Sequence, residues 1–415
     1  MKRREFITSS LLTIAGTTLF TACDNKVKKR EKGASHDKVV TKKFKNYDIS
    51  LLGFGCMRLP TINEQIDMPQ FEKMVDYAMR RGINYFDTAY MYHGGESENA
   101  VGKVLSNYKR DSFFLATKNP TRLLTSKSDV RRILEEQLKK CQTDYFDFYL
   151  AHNISVTTVD NYRNFDVYNE MVKFKQEGKI RHIGFSYHGA DDLLEEVANE
   201  NPWEFCQIQI NYLDWTAMDI RKNYEVLEKA QIPTIAMTPL RGGKLTELTG
   251  SAKAVLKDEA PNDTPASFGL RWVAGRENIF TLLSGMSNIQ QLEENIETFT
   301  NYTPFTQHEE KVANKISDIL QQQGEINCTR CNYCYDCPRG VAIPKIFSLY
   351  NDYKATSDAN AFISKYDALK DREKAHRCIK CGLCNSQCPQ LLDIPNLLDK
   401  VIESINDLKA QVTEV

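Results

Sequence analysis

Between Ile49 and about Thr300, eight short apolar runs alternate with stretches of helical periodicity, and no other feature of the chain restricts its fold as tightly. The runs are Leu51–Met57, Asn84–Thr88, Phe113–Lys118, Phe146–His152, Ile180–Ser186, Cys206–Asn211, Thr234–Thr238 and Ile279–Ser284. Between them lie amphipathic repeats such as Val130-Ile133-Leu134-Leu138 and Leu292-Ile296-Phe299. Apolar runs joined by helical connections make parallel strands with crossover helices, and eight such units close into a (β/α)8 barrel. The predicted fold class is therefore α/β: a TIM barrel followed by a small, mostly helical iron-sulfur domain.

The second part of that prediction comes from cysteine spacing. Eight of the twelve cysteines form two cassettes, Cys328, Cys331, Cys334, Cys337-Pro338 and Cys378, Cys381, Cys384, Cys388-Pro389. A C-x-x-C-x-x-C run lets three soft thiolates approach one cubane from a single loop, and the fourth ligand comes from elsewhere. The second cassette reproduces the bacterial ferredoxin run with its terminal Cys-Pro; the first has a loop one residue shorter. In two-cluster ferredoxins the last Cys of each run serves the other cluster. That rule groups Cys328, Cys331 and Cys334 with Cys388, and Cys378, Cys381 and Cys384 with Cys337, for two 4Fe-4S clusters. Structural zinc and disulfides remain the alternatives. Cys141 and Cys206 fall in apolar stretches and read as small core residues. Gln307 to Gln323 reads as a helix leading from the barrel to the first cassette, and Ile343 to Lys374 is helical in pattern.

The N-terminus has a different character. Lys2-Arg3-Arg4-Glu5-Phe6-Ile7 precedes a mildly apolar run ending at Phe20, too short to span a membrane, which reads as a twin-arginine export signal. Phe20-Thr21-Ala22-Cys23 resembles a lipobox, with Cys23 as the lipidated residue. The expected location is periplasmic or membrane-anchored as a bacterial lipoprotein, with membrane contact only through that anchor. The divisions are a leader at 1–23, a solvated Lys-rich tether at 24–44, the barrel at 45–305, and a helix plus ferredoxin-like domain at 306–415. A net charge of −1 gives no reason to expect nucleic acid as a partner.

In such barrels chemistry gathers at the C-terminal ends of the strands. The polar residues there are Asp87 and Tyr92 after the second run, Lys118 after the third and His152 after the fourth. Asp87-Thr88-Ala89 with Tyr92, Ala116-Thr117-Lys118 and Leu150-Ala151-His152 resemble the catalytic tetrad of the aldo/keto reductases. The cassettes extend that resemblance to a branch carrying a ferredoxin-like tail. Hydride arriving at a carbonyl carbon builds negative charge on oxygen, so a proton donor must stand within hydrogen-bond reach. Tyr92 fits that task. Lys118 is expected to lower the phenol's pKa, Asp87 to hold Lys118, and a neutral His152 to orient the carbonyl.

The resemblance also implies NADP or NAD across the barrel mouth. It places Gly55, Cys56 and Met57 in the first-strand loop, Ser186 and Gln207 on the carboxamide, Thr238, Leu240 and Gly242 at the pyrophosphate, and Glu294 and Asn295 at the adenine. Gln291 stands where an Arg commonly meets a 2′-phosphate, Tyr187 where an Asn usually joins Ser186, and Met237 where an aromatic usually stacks on the nicotinamide. Gly242 and Gly243 equally suit a loop with positive φ. Arg241 beside them is a loose charge for a phosphate, a substrate carboxylate or solvent.

The expected activity is NAD(P)-dependent interconversion of a small carbonyl substrate and its alcohol, with the clusters serving electron transfer to a redox partner protein or fixing the tail as a lid. The alternative is a non-catalytic nucleotide-binding subunit of a redox complex. Trp215, Tyr90 and His93 suggest an apolar, partly aromatic mouth.

Overall fold

The computed structural model describes residues 37–189, 192–334 and 336–413. The twin-arginine leader, its lipobox-like end and the first part of the tether lie outside the described residues. Twelve strands follow in chain order among the described residues. A hairpin, β1 (Thr41–Phe44) and β2 (Tyr47–Ser50), leads into β3 (Leu52–Gly55); a second small hairpin, β4 (Thr61–Ile62) and β5 (Gln65–Ile66), comes next. Then come β6 (Tyr85–Asp87), β7 (Phe114–Pro120), β8 (Phe146–Ile154), β9 (Ile180–Tyr187), β10 (Phe205–Gln209), β11 (Thr234–Met237) and β12 (Ile279–Ser284). Strand β3 and strands β6 to β12 pair in parallel as a closed barrel, with β12 returning to β3. All eight expected runs are its strands, with ends displaced by a few residues at most.

The tether ends sooner than its composition suggests. Val39 and Val40 donate backbone hydrogen bonds to the Arg81 and Phe299 carbonyls at 2.9 and 3.1 Å. Thr41–Phe44 then pairs with β2. Lys42 Nζ donates to the carbonyls of Ala274, Arg276 and Ile279. Backbone pairing does not depend on apolar side chains, so this Lys-rich segment carries no strand signal. One aromatic does the packing: Phe44 closes the bottom of the barrel against Phe280, Phe148 and Phe205, with ring centroids 4.6, 5.1 and 6.2 Å away.

The helix Gln307–Gln322 does not carry the chain away from the barrel. Val312, Ala313, Ile316 and Leu320 join the barrel's own core. Glu309 closes a capping box with Thr306 and pairs with buried Arg271 at 2.9 Å. The tail beyond it has a separate core, built from helices Ile343–Thr356, Ala359–Asp367 and Ile394–Thr413 around Ile346, Phe347, Leu398 and Val401. Among the described residues no helix is long and apolar enough to cross a membrane.

Candidate active site

Strand ends bring the four polar residues together. Asp87 closes β6, Lys118 lies in β7, His152 lies near the end of β8, and Tyr92 starts the short helical turn Tyr92–Gly95. Lys118 Nζ donates to Asp87 Oδ1 at 2.6 Å and to the Thr88 carbonyl at 2.7 Å, and stands 3.5 Å from the Tyr92 hydroxyl. The Tyr92 and His152 rings meet edge to face with centroids 6.3 Å apart. All four side chains are buried.

Burial sets the protonation states. It holds His152 well below the usual imidazole range, with Lys118, His188 and Arg122 adding to the shift, so the ring is neutral as expected. The expectation for Tyr92 is reversed. Burial, then the Asp87 charge, pushes the phenol well above its ordinary value. Lys118 is engaged at shorter range by Asp87 and Thr88, which leaves it a weaker partner for the phenol. A phenol held protonated is suited to donate rather than to accept.

Asp87, Tyr92 and His152 form the floor of an open cleft of about 440 Å³, with Lys118 behind them. Gly55, Met57, Ser186 and Gln207 border it on one side, Thr238, Leu240 and Gly242 on another, and Gln291, Glu294 and Asn295 on a third. Cys56 does not border it; its side chain is wholly buried and its Sγ contacts the Phe54 carbonyl at 3.7 Å. Gln207 Oε1 and Thr238 Oγ1 are buried with no partner among the described residues, the first able to accept from an amide and the second to donate to a phosphate. Gln291 accepts from the Ser287 N–H while Asn288 caps its helix.

Other expectations need correction. Arg241 is neither loose nor solvated: it is 5 % exposed, 2.9 Å from Asp214 Oδ1, and donates to Asn327 Oδ1 at 2.6 Å. Trp215 packs on Tyr224 and Trp272, Tyr90 donates to Glu136, and His93 accepts from the Leu59 N–H. None of those three borders the cleft. Each has a partner in the barrel shell that residue type alone does not disclose.

What borders the cleft instead is the tail. Thr329, Arg330, Cys331, Tyr333 and Gln390 lie along it, residues that no strand-end reading would find. Arg58 donates to the Thr329 carbonyl at 2.8 Å, Arg330 to the Gly242 carbonyl at 3.1 Å, and Gln390 to Gln209 at 2.8 Å. Lys244 pairs with Glu325 at 2.6 Å. Gly242 has φ +66°, and a Cβ there would stand 2.4 Å from the Thr329 carbonyl oxygen. Gly242→Ala is therefore expected to add about 1–2 kcal/mol of backbone strain and to loosen the docked loop. Hydrogen–deuterium exchange should rise across 325–334 and stay unchanged in the barrel strands.

The cassettes converge as two foursomes. Cys328, Cys331, Cys334 and Cys388 border one cavity of about 320 Å³. Cys337, Cys378, Cys381 and Cys384, with Cys334 at its edge, border another of about 400 Å³. Burial, then Cys331, Cys328 and Cys388, pushes the Cys334 thiol up to about 12. Burial, then Cys378, Cys337 and Cys381 among its neighbours, pushes Cys384 up to about 11. Among the described residues no three His, Cys, Asp or Glu close tightly enough to hold a single ion. Thiols spaced around a cavity suit a multi-atom cluster better than one tetrahedral zinc. Cys141 and Cys206 are buried core residues.

A barrel with an Asp-Lys-Tyr-His cluster on its C-terminal face and a cysteine-rich helical cap defines an oxidoreductase of composite architecture. The aldo/keto reductase family model matches residues 51–318, and this chain belongs to that family. A 4Fe-4S dicluster domain model matches residues 327–393. Among curated relatives, an uncharacterized oxidoreductase YqkF of Bacillus subtilis is 28% identical over 284 residues, covering 60% of this chain and 87% of its own. L-galactose dehydrogenase of Arabidopsis thaliana is 26% identical over 297 residues, 66% of this chain and 91% of that one. Among solved structures, the holo form of aldo-keto reductase AKR11C1 from Bacillus halodurans matches with a TM-score of 0.57 at 24% identity, over 67% of this chain and 96% of its own.

Proposed function

We propose that this protein interconverts a small carbonyl compound and its alcohol with a nicotinamide dinucleotide, with Tyr92 as the proton donor. The observation that carries the reading is Tyr92, edge to face with His152 and 3.5 Å from an Asp87-bound Lys118, on the floor of a cleft that also holds Gln207 and Thr238 oxygens without partners among the described residues. Bound there, the nicotinamide supplies or accepts the hydride. Ser186 and Gln207 hold its carboxamide, while Thr238, Leu240 and Gly242 hold the pyrophosphate. Met57 and Gly55 form the inner wall, and Glu294 and Asn295 the adenine end. Tyr92 and His152 direct the substrate oxygen, Tyr92 gives it a proton, and Lys118 with Asp87 fixes the electrostatics behind the phenol. With Gln291 in place of a cation, discrimination between NADP and NAD is small.

The two cysteine foursomes hold 4Fe-4S clusters, with Cys388 serving the first and Cys337 the second, and pass electrons to a partner protein. The Lys2–Ile7 segment directs export by the twin-arginine route, which carries folded, cluster-loaded protein; lipidation at Cys23 would keep it at the membrane. The test is a steady-state screen of aldehydes and ketones with NADPH and NADH, using protein isolated anaerobically with its clusters. Turnover with either nicotinamide supports the reading; a cluster-loaded protein that binds nucleotide and turns over no carbonyl refutes it. Cluster EPR that stays silent when substrate and nucleotide are added together would refute the electron relay.

A further inference from the structure

The iron-sulfur tail reaches past the rim of the cleft to the tetrad itself. Tyr333, between the second and third cysteines of the first cassette, borders the cleft beside Tyr92 and His152. Its phenol interacts with the Tyr92 hydroxyl and eases that group's upward shift. Behind it, the Arg122 guanidinium lies over the Tyr333 ring at 5.3 Å, and Arg122 Nε has no other partner among the described residues. The ring is thus clamped between a barrel cation and the catalytic tyrosine, on a loop that Arg58 fixes through the Thr329 carbonyl. Two more polar groups border the same cleft: His188, whose Nδ1 is buried without a partner among the described residues, and Gln390, whose Oε1 is likewise unpaired among them while its amide donates to Gln209. Burial, then Lys118, lowers His188 to about 4, so the ring is neutral and able to donate or accept.

None of these three groups belongs to the tetrad or to the residues placed on the nucleotide. An alkyl chain against them would leave His188 Nδ1 and Gln390 Oε1 buried and unpaired. A substrate with oxygens flanking the reacting carbon would satisfy them.

We propose that Tyr333 and Gln390, both supplied by the iron-sulfur tail, complete the substrate pocket and select carbonyl compounds that carry a hydroxyl next to the reacting carbon. Tyr333 is then a specificity-determining residue, and the first cassette is at once a metal-ligand loop and a wall of the pocket. This rests on the carbonyl-reductase reading above. It goes beyond a lid, because a lid would only exclude water, whereas Tyr333 and Gln390 discriminate between substrates of equal size.

The experiment compares glyceraldehyde with propanal, which have the same carbon skeleton, in cluster-loaded wild-type protein and in Tyr333→Phe. The wild type should favour glyceraldehyde in kcat/KM by at least about tenfold, since a site built to hydrogen-bond a hydroxyl rejects an analogue lacking it. Tyr333→Phe should cut that preference, read as the ratio of the two kcat/KM values, by about five- to tenfold, chiefly through a higher KM for glyceraldehyde. Iron content and visible absorbance of the variant establish that the cassette is intact. Gln390→Leu, which leaves every cysteine and the Tyr333 loop in place, should lower the same preference. An unchanged preference in both cluster-loaded variants would overturn the inference while leaving carbonyl reduction standing. A wild type inert toward both aldehydes, and toward the wider screen, would overturn the underlying reading and this inference with it.

Discussion

Tyr92→Phe is expected to lower kcat for carbonyl reduction by about 10²- to 10⁴-fold, the usual contribution of a positioned proton donor. The fold should be indifferent to the change. The Tyr92 hydroxyl meets Lys118 only at 3.5 Å, and Lys118 keeps its shorter bonds to Asp87 and Thr88 when that hydroxyl is gone. Nucleotide affinity should stay within about twofold of wild type, because no group placed on the dinucleotide touches that oxygen. The outcome separates the enzyme from a non-catalytic nucleotide-binding subunit, in which Tyr92→Phe would change nothing measurable. The pH profile gives an independent check. Burial keeps His152 far below its ordinary range and Tyr92 far above its own. The wild-type kcat/KM should therefore show no inflection near the free imidazole pKa of about 6.5. A clear inflection there, lost in a His152 variant, would mean that His152 titrates in the free enzyme and is not held neutral.

The barrel was legible because its signal is local and repeated. An apolar run followed by an amphipathic helix is written into consecutive residues, and the C-terminal end of each run marks where Asp87, Lys118 and His152 must sit. The cassettes were legible for the same reason, since three ligands of each cluster lie within seven residues of one another. The parts that were not legible depend on partners far away in the chain. Thr41–Phe44 looks like tether until Ser50 pairs with it and the barrel bottom receives Phe44. Arg241 looks free until Asp214 and Asn327 are folded against it. Trp215, Tyr90 and His93 look like a substrate mouth because aromatic residues near strand ends have that bias, yet each is claimed by a neighbouring helix or loop.

The docking of the tail is the largest contribution of tertiary structure to the site. Residues 325–333 approach a loop more than eighty positions earlier through Arg330 and Gly242, and Gln390 meets Gln209 across 181 positions. Periodicity carries no information at that range. Residue type alone suits Gly242 to a positive φ but says nothing of its second role: the absence of a Cβ there lets the Thr329 carbonyl come close enough to bring Tyr333 to the tetrad. The same contact places the first cassette beside Tyr92 and His152.

Lys118→Met is expected to have the largest effect on stability, destabilising the barrel by about 3–5 kcal/mol, because it leaves the Asp87 carboxylate buried without its counter-charge. Asp87 and Lys118 are 3 % and 1 % exposed in their side chains, and Asp87 Oδ2 already lacks a hydrogen-bond partner among the described residues. Burial raises the Asp87 pKa even with Lys118 present, Lys118 opposing it through its charge and its hydrogen bond. Removing Lys118 leaves burial unopposed and drives the carboxyl higher. The sign of the pH dependence follows. A carboxyl whose pKa is higher in the folded than in the unfolded state stabilises the fold most below the unfolded value of about 3.9, and that stability is lost as pH rises through the folded pKa. The deficit of Lys118→Met relative to wild type should therefore grow from acid toward neutral pH, where the variant must either bury a lone carboxylate or hold a proton against its tendency to ionise. Thermal unfolding followed by circular dichroism at pH 5 and pH 8 measures it, with the larger fall in midpoint expected at pH 8. Asp87→Asn in the same chain removes the charge that Lys118→Met strands. The double variant should recover most of the lost stability and lose the pH dependence of the deficit. A double variant no more stable than Lys118→Met alone would place the damage in lost packing of the lysine stem, and the buried ion pair would not be what holds this corner of the barrel together.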